Sequence, residues 1–269
     1  MASCSNNDDD EPKNNQTVET SPKNVLSQGL PAEVDGFSFN TNEKGQVTSI
    51  RDNYDSRVVT TFEYGAFKHD AIDYDVLMKT IEFYGTNDIY IQTNNQGFAT
   101  RALVVAKDGY TDTWDFEYNS DGQLIRVNSS EEGDFRITYT NGDITKVVSY
   151  GEWNDGEIRH SEHVFKYTNE EHPKGIPNKG NIMVYDEGYD VELDEMELGY
   201  YAGLLGKSTK NLPLESTEST ESKSPDYGES HYTDNYVYNW VLNSNGLPTE
   251  LREVNIEDGD GYSYIFSWK

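Results

Sequence analysis

The chain has 269 residues and carries 49 acidic against 21 basic side chains, a formal charge of -28. A field of that sign repels phosphate backbones, which excludes nucleic acid as a partner, and it also disfavours contact of the folded body with an anionic membrane. Its 20 Tyr, 10 Phe and 4 Trp supply a substantial core, and no apolar run approaches the roughly 20 residues that a spanning helix needs.

The single cysteine, Cys4, follows Ala2 and Ser3 and precedes a polar, acidic run from Ser5 to Glu11. Small residues before a lone Cys are what a lipoprotein signal peptidase leaves for attachment of a lipid, so Cys4 is expected to be an anchor. The stretch before it is too short for a charged and then an apolar signal region, which leaves a trimmed leader or a misassigned start codon as the two readings. The competing reading of Cys4 is an ordinary free thiol. Residues 1–27, almost devoid of apolar side chains, read as a disordered tether, and residues 28–269 as one domain.

From Phe37 onward a phrase recurs. Phe37 and Phe39 alternate with polar residues, then come Asn42 and Gly45, then Val47 and Ile50. A weaker copy begins near Tyr90, with Asn94 and Gly97. Trp114, Phe116 and Tyr118 lead to Asn119 and Gly122, then Leu124 and Val127. Phe135, Ile137 and Tyr139 lead to Asn141-Gly142, then Ile144 and Val147. Another weak copy starts near Val164, and Tyr236, Tyr238 and Trp240 lead to Asn243 and Gly246. Tyr262, Tyr264, Phe266 and Trp268 end the chain as a strand without a turn.

Alternation with period two makes each phrase a β-hairpin with one aromatic and one polar face. Asn141-Gly142 suits a two-residue turn with positive φ, and Ser120-Asp121-Gly122 a three-residue loop with a left-handed Gly. Leu124 and Val127 are three apart and share a face only if a bulge intervenes. The fold class expected is all-β: an antiparallel meander of about a dozen strands, strongly curved or a partial barrel, with one or two short helices.

Asp70 to Phe83 has near-helical spacing at Ile72, Val76 or Leu77, and Ile81, while Tyr74 and the flanking β-branched residues suit a strand, so both readings stay open there. Leu193 to Leu205 reads as a helix, with Asp194 and Glu195 in its first turn and Gly206 as its stop, plugging an open side of the sheet. The polar tract around residues 215–230, with Ser-Thr-Glu-Ser-Thr-Glu-Ser, reads as a mobile insertion in a surface loop.

Chemical motifs are sparse. Gly206-Lys207-Ser208-Thr209 resembles the end of a phosphate-binding loop, but Tyr201 stands where the first glycine belongs. His160, Glu162 and His163 suggest zinc, yet residues three apart on a strand face opposite ways. Asp258 and Asp260, with Gly259 and Gly261, read as a hairpin turn rather than a calcium loop. No metal site, cofactor or catalytic residue is assigned. Trp114, Trp240 and Trp268 sit at alternating strand positions suited to packing. Trp153, in the loop from Gly151 to Gly156, is the aromatic expected to meet a ligand.

Ile91-Gln92-Thr93-Asn94-Asn95-Gln96-Gly97-Phe98 and the run from Tyr200 to Pro213 resemble a lipoprotein family of gut-dwelling Gram-negative anaerobes, an uncharacterised domain family with a porin-like fold. Cys4-Ser5 followed by Asp8 to Glu11 is similar to the surface-export signal of lipoproteins in such bacteria. Tyr118 to Leu124 is similar to the tyrosine-aspartate repeats of Rhs-type shells. The resemblance implies outer-membrane, lipid-anchored surface display, and it carries no activity. Asp, Glu, Arg and Thr at alternate strand positions argue against lipid-facing strands.

The functional expectation is therefore a non-enzymatic binding or adhesion module for a glycan or protein, attached to the outer membrane through its lipid alone. The alternatives are a glycoside hydrolase using a carboxylate pair and a structural accessory subunit of an outer-membrane complex. A catalytic cleft should gather desolvated carboxylates from distant strands, and a binding face should show exposed aromatics.

Overall fold

The computed structural model describes residues 18–81, 85–152 and 156–269. Strands β1 (Glu33–Val34), β2 (Phe37–Thr41), β3 (Val47–Asp52), β4 (Val59–His69), β5 (Ile72–Ile81) and β6 (Thr86–Thr93) come first. They lead into β7 (Ala99–Ala106), β8 (Thr111–Tyr118), β9 (Leu124–Ser129), β10 (Gly133–Thr140), β11 (Asp143–Glu152) and β12 (Ile158–Lys166). A long excursion then holds β13 (Ile176–Pro177), the short helix α1 (Tyr185–Tyr189), a 3-10 helix at Asp194–Tyr200 and β14 (Asn211–Leu212). The chain rejoins the sheet with β15 (Glu215–Ser224), β16 (Gly228–Leu242), β17 (Pro248–Asn255) and β18 (Ser263–Ser267).

Every adjacent pair of sheet strands is antiparallel and, apart from the jump from β12 to β15 and the pairing of β1 with β18, in chain order. The meander does not stop at a partial barrel: β1 pairs with both β2 and β18, closing a barrel of 16 strands. Closure removes the two unpaired edges that a sheet of this width would otherwise expose. The dozen strands expected from the repeats fall short because β5 and β15 lack the aromatic phrase, and the alternating Phe62 and Tyr64 of β4 lead to Asp70-Ala71 rather than to an Asn and Gly turn.

Barrels of this strand number are too wide for strand side chains alone to fill. Here the excursion between β12 and β15 fills the lumen. Tyr201 packs with its ring tilted at 5.1 Å from that of Phe39 of β2, and Tyr189 likewise at 5.1 Å from Phe165 of β12, so one segment touches different walls. Met183, Tyr185, Val191, Leu193, Tyr200, Leu204 and Leu205 are buried in one cluster with inward Trp114, Phe116, Phe135 and Ile137. The expected helix at 193–205 is thus a 3-10 turn within this plug.

Outward positions are mostly polar, with scattered apolar exceptions such as Val164, Val241 and Ile265. On β8, Asp112, Trp114 and Phe116 are buried, whereas Thr111, Asp115 and Glu117 face solvent. Arg126 of β9 donates to Glu117 of β8 at 3.0 Å and to Asp134 of β10 at 2.6 Å. Lys146 of β11 meets Glu162 of β12 at 2.8 Å, and Lys79 of β5 meets Glu63 of β4 at 3.2 Å. This wall inverts the pattern of a membrane-spanning barrel, which is apolar outside and wet inside.

The two ends differ. One, the plugged end, is closed by tight turns. Asn42, Asn94, Asn119 and Asn243 each accept amide hydrogens from residues two and four ahead, the same Asx turn four times. Asn141 and Gly142 both have positive φ, as a type I′ turn requires. The expected bulge lies beside the turn: the register shifts between Glu117 and Tyr118, so Leu124 and Val127 are both buried. The other, acidic end carries the β3–β4, β7–β8, β9–β10, β15–β16 and β17–β18 connections.

Three expectations need correction. Asp70 to Phe83 is not helical: its described part is β5, hydrogen-bonded to β4 and β6. Residues 215–230 are no loop insertion, because Glu215–Ser224 pairs along its whole length with β12 and β16. The tether is shorter than 1–27, since Val25 and Leu26 are buried and Thr20 donates to Gly97 O at 3.2 Å across the plugged end. β18 also runs to the plugged end, where Trp268 donates to Pro248 O at 2.6 Å.

Candidate functional site

Among the described residues the exposed aromatic side chains are Tyr54, Tyr110, Tyr150, Tyr227, Tyr232 and Tyr262. All six belong to the acidic end. Tyr54 lies in the β3–β4 loop, Tyr110 in the turn before β8, Tyr150 near the end of β11, Tyr227 in the β15–β16 turn, Tyr232 early in β16 and Tyr262 just before β18. Tyr54 is 86% exposed, and its ring lies across the β1–β2 turn: a β-carbon added at Gly36 would stand only 2.3 Å from its Cε2. Gly36 also has φ +84°, so it supplies both the turn and the space for that ring.

Inside this tyrosine rim the plug presents carboxylates to carboxylates of the wall. A recess of about 130 Å³ is lined by Glu132 of the β9–β10 turn, Asp190 and Glu192 of the plug, Glu218 of β15, Arg159 of β12 and Tyr232 of β16. Burial, then the charges of Glu218 and Glu192, push Asp190 up to about 7, and Arg159 opposes them. Burial likewise raises Glu132, helped by a hydrogen bond with Glu192. Glu253 of β17 is 6% exposed and is pushed up to about 8 by burial and then by Glu187, Asp190 and Glu218.

Deeper still, Glu197 accepts the amides of Tyr185 at 2.8 Å and Asp186 at 3.5 Å, and Asp186 accepts that of Leu193 at 3.0 Å. Burial raises both, with Glu197 adding to the effect on Asp186. Two amides favour the anion on Glu197, so Asp186 holds the proton. The acidic end is thus a partly protonated set of hydrogen-bonding carboxyl groups.

A second geometry resembles a catalytic dyad. His163 Nε2 lies 2.7 Å from Ser216 Oγ, which is 2.9 Å from Tyr238 OH. Burial lowers His163 to about 3, so the ring is neutral. Both His163 and Ser216 are 3% exposed, sealed behind the wall, and no substrate carbonyl can reach the hydroxyl.

The model of the family described as a domain of unknown function with a porin-like fold (DUF4595) matches residues 39–250. The chain belongs to that family. A crystal structure of a porin-like protein from Bacteroides uniformis is similar in fold, with a TM-score of 0.53 and 16% identity over 87% of this chain and 89% of that one. A porin-like protein from Bacteroides vulgatus gives a TM-score of 0.50 and 14% identity over 88% and 98% of the two chains. None of the curated proteins matches. At such identities the likeness concerns the fold, and the family membership brings no activity with it.

Cys4 and Trp153 lie outside the described residues; Glu152 and Gly156, which flank the Trp153 segment, belong to the acidic end. Trp114, Trp240 and Trp268 pack as expected: Trp114 is buried, and Trp240 stacks on Phe266 at 6.4 Å. His160 and His163 face opposite sides of β12, and no group of three potential metal ligands forms among the described residues. Asp258 to Gly261 serves as the β17–β18 connection, with Asp258 accepting the amide of Asp260 at 2.9 Å. Sequence reasoning missed the carboxylates of the plug, because their neighbours come from strands remote in the chain. The available signal was the acidic spacing of Asp186, Glu187, Asp190, Glu192 and Asp194 within an otherwise apolar run.

Proposed function

We propose that the acidic end is a glycan-binding mouth on a lipid-anchored protein of the outer-membrane surface. The observation that carries this reading is the confinement of all six exposed tyrosines to one end of the barrel, around a ring of carboxyl groups. Aromatic faces cover the C–H surfaces of sugar rings, and carboxyl groups accept their hydroxyls. The anchor at Cys4 agrees with this direction. Val18 hydrogen-bonds to Asn95 O at the plugged end, so a lipid fourteen residues upstream holds that end within roughly 50 Å of the bilayer. The tyrosine rim then faces outward.

A second reading rests on the recess itself: Glu132, Asp190 and Glu218 come from three separate elements, and two of them are raised by burial. That is the arrangement a glycoside hydrolase needs for an acid and its partner. A glycan array probed with the full chain separates the readings. Binding that falls at least tenfold in Tyr54→Ala and Tyr262→Ala, without release of reducing ends, supports the mouth. Sugar release abolished by Glu218→Gln supports the hydrolase, and array binding unmoved by either tyrosine or by Trp153→Ala removes the binding reading.

A further inference from the structure

The net charge conceals an uneven distribution. Along the outer wall several cations meet acids, Lys79 with Glu63, Arg126 with Glu117 and Asp134, Lys146 with Glu162 and Lys166 with Glu215, whereas the exposed Arg51, Arg101 and Arg252 stand singly on separate strands. At the plugged end Lys44 meets Glu19 at 3.0 Å, but three other lysines gather at one place without such a partner. Lys23, Lys207 and Lys210 have no carboxylate within ion-pair distance among the described residues, and all three line one cleft of about 660 Å³. Asp121 is the acid on its rim.

The turns of that end explain how the lysines are held. A β-carbon added at Gly45 would stand 3.7 Å from Lys23 Cε, at Gly122 3.6 Å from Lys207 Cε, and at Gly142 3.4 Å from Lys210 Cβ. Each lysine stem therefore lies over a turn glycine, and the ammonium group is left to the cleft. The floor is fixed by hydrogen bonds. Gln123 is buried and donates to Gly142 O at 3.0 Å and Ser208 O at 3.2 Å, while Asn181 donates to Ser208 Oγ at 3.1 Å and accepts from the Ser27 amide.

We infer that this cleft binds a phosphate group, through Lys23, Lys207 and Lys210 with serine hydroxyls beside them. Three compact ammonium charges and hydroxyl donors suit a phosphate oxyanion, and the cleft has room for the group that carries it. The repulsion expected from the whole chain does not reach it: a strand of eight residues spans roughly 26 Å, about three screening lengths at physiological salt, between the acidic end and these lysines. The motif Gly206-Lys207-Ser208-Thr209 takes part without being a P-loop, since no helix follows it and Lys207 N bonds to Gly122 O. The phosphate can come from a lipid headgroup at the bilayer or from solution, and the proposal stands apart from the reading of the opposite mouth.

The test uses the full chain with Cys4→Ser, so that no lipid holds it. Flotation with phosphatidylcholine vesicles, with and without phosphatidic acid, addresses the headgroup. Titration with inorganic phosphate, followed at the amides of Gly122 and Lys207 to Lys210 by NMR, addresses the free ion. The expected result is binding in at least one arm, weakened roughly fivefold for each lysine removed in Lys207→Gln and Lys210→Gln. Binding should be strengthened by Asp121→Asn, retained by the double Lys→Arg variant, and unaffected by Lys79→Gln on the outer wall. Vesicle binding without amide shifts assigns the headgroup, and shifts without flotation assign the free ion. Absence of both, or equal binding by the unaltered chain and a double Lys→Gln variant whose melting temperature is unchanged, overturns the proposal.

Discussion

Glu253 shows what a single side chain contributes at the acidic end. It is 6% exposed on β17, and burial followed by three neighbouring carboxylates raises it from 4.5 to about 8. Between those values the folded chain keeps a proton that the unfolded chain has released, so stability falls as pH rises toward 8. Glu253→Gln removes the titration and should stabilise the protein at pH 8 by on the order of 1–3 kcal/mol relative to its effect at pH 5, where the folded carboxyl still holds its proton and little of the loss has yet occurred. Urea melts of both proteins at the two pH values check this; a pH-independent difference would show that the proton is held elsewhere. At this scale the turns were the most legible part of the chain. Asn42, Asn94, Asn119 and Asn243 announce their Asx turns through local chemistry alone, whereas Glu253 reads as one more surface acid until the plug is set against it.

Among the elements, the plug is the one on which the fold depends. Its return path bends at Gly206, where φ is +76° and an added β-carbon would stand 2.6 Å from Gly122 O and 2.8 Å from the Tyr118 ring. Gly206→Ala therefore meets both a strained backbone and a rigid neighbour, and it should cost about 2–4 kcal/mol and hasten proteolysis within residues 167–214. Limited proteolysis with mass mapping reads this, and a stable, protease-resistant variant would mean that the plug tolerates a shift. The misread elements share a cause. In β5, Tyr74, Val76 and Met78 are buried on one face, but Leu77 is buried on the other, which blurs the period of two. In β15 the inward residues are Ser216, Glu218 and Thr220, because this strand faces Tyr238 and the acidic recess rather than an aliphatic core. Hydrophobic pattern cannot reveal a strand whose buried side is polar; its ladder with β12 and β16 does.

For the molecule as a whole, the repeats foretold the antiparallel meander but not its closure, and the segment expected to plug one open side of the sheet, 193–205, is part of a longer plug inside it. Closure depends on β1, only two residues long, meeting β18 across nearly the whole chain, and two residues carry no periodic signal. The polarity of the wall was readable, since charges at alternate positions of β8 to β12 must face water once the aromatics turn inward. That wall predicts a concrete behaviour: the chain with Cys4→Ser should remain monodisperse in buffer without detergent. Sedimentation velocity with and without a mild detergent tests it, and a requirement for detergent would mean that the exposed strands meet lipid after all.

Both Val18 and the last strand leave the barrel at the plugged end. An affinity handle fused after Lys269 would therefore crowd the lysine cleft and, on an anchored molecule, sit in the gap beneath it. The hairpin tip at Pro225 to Gly228 is the better attachment point for a label or immobilising tag in display work.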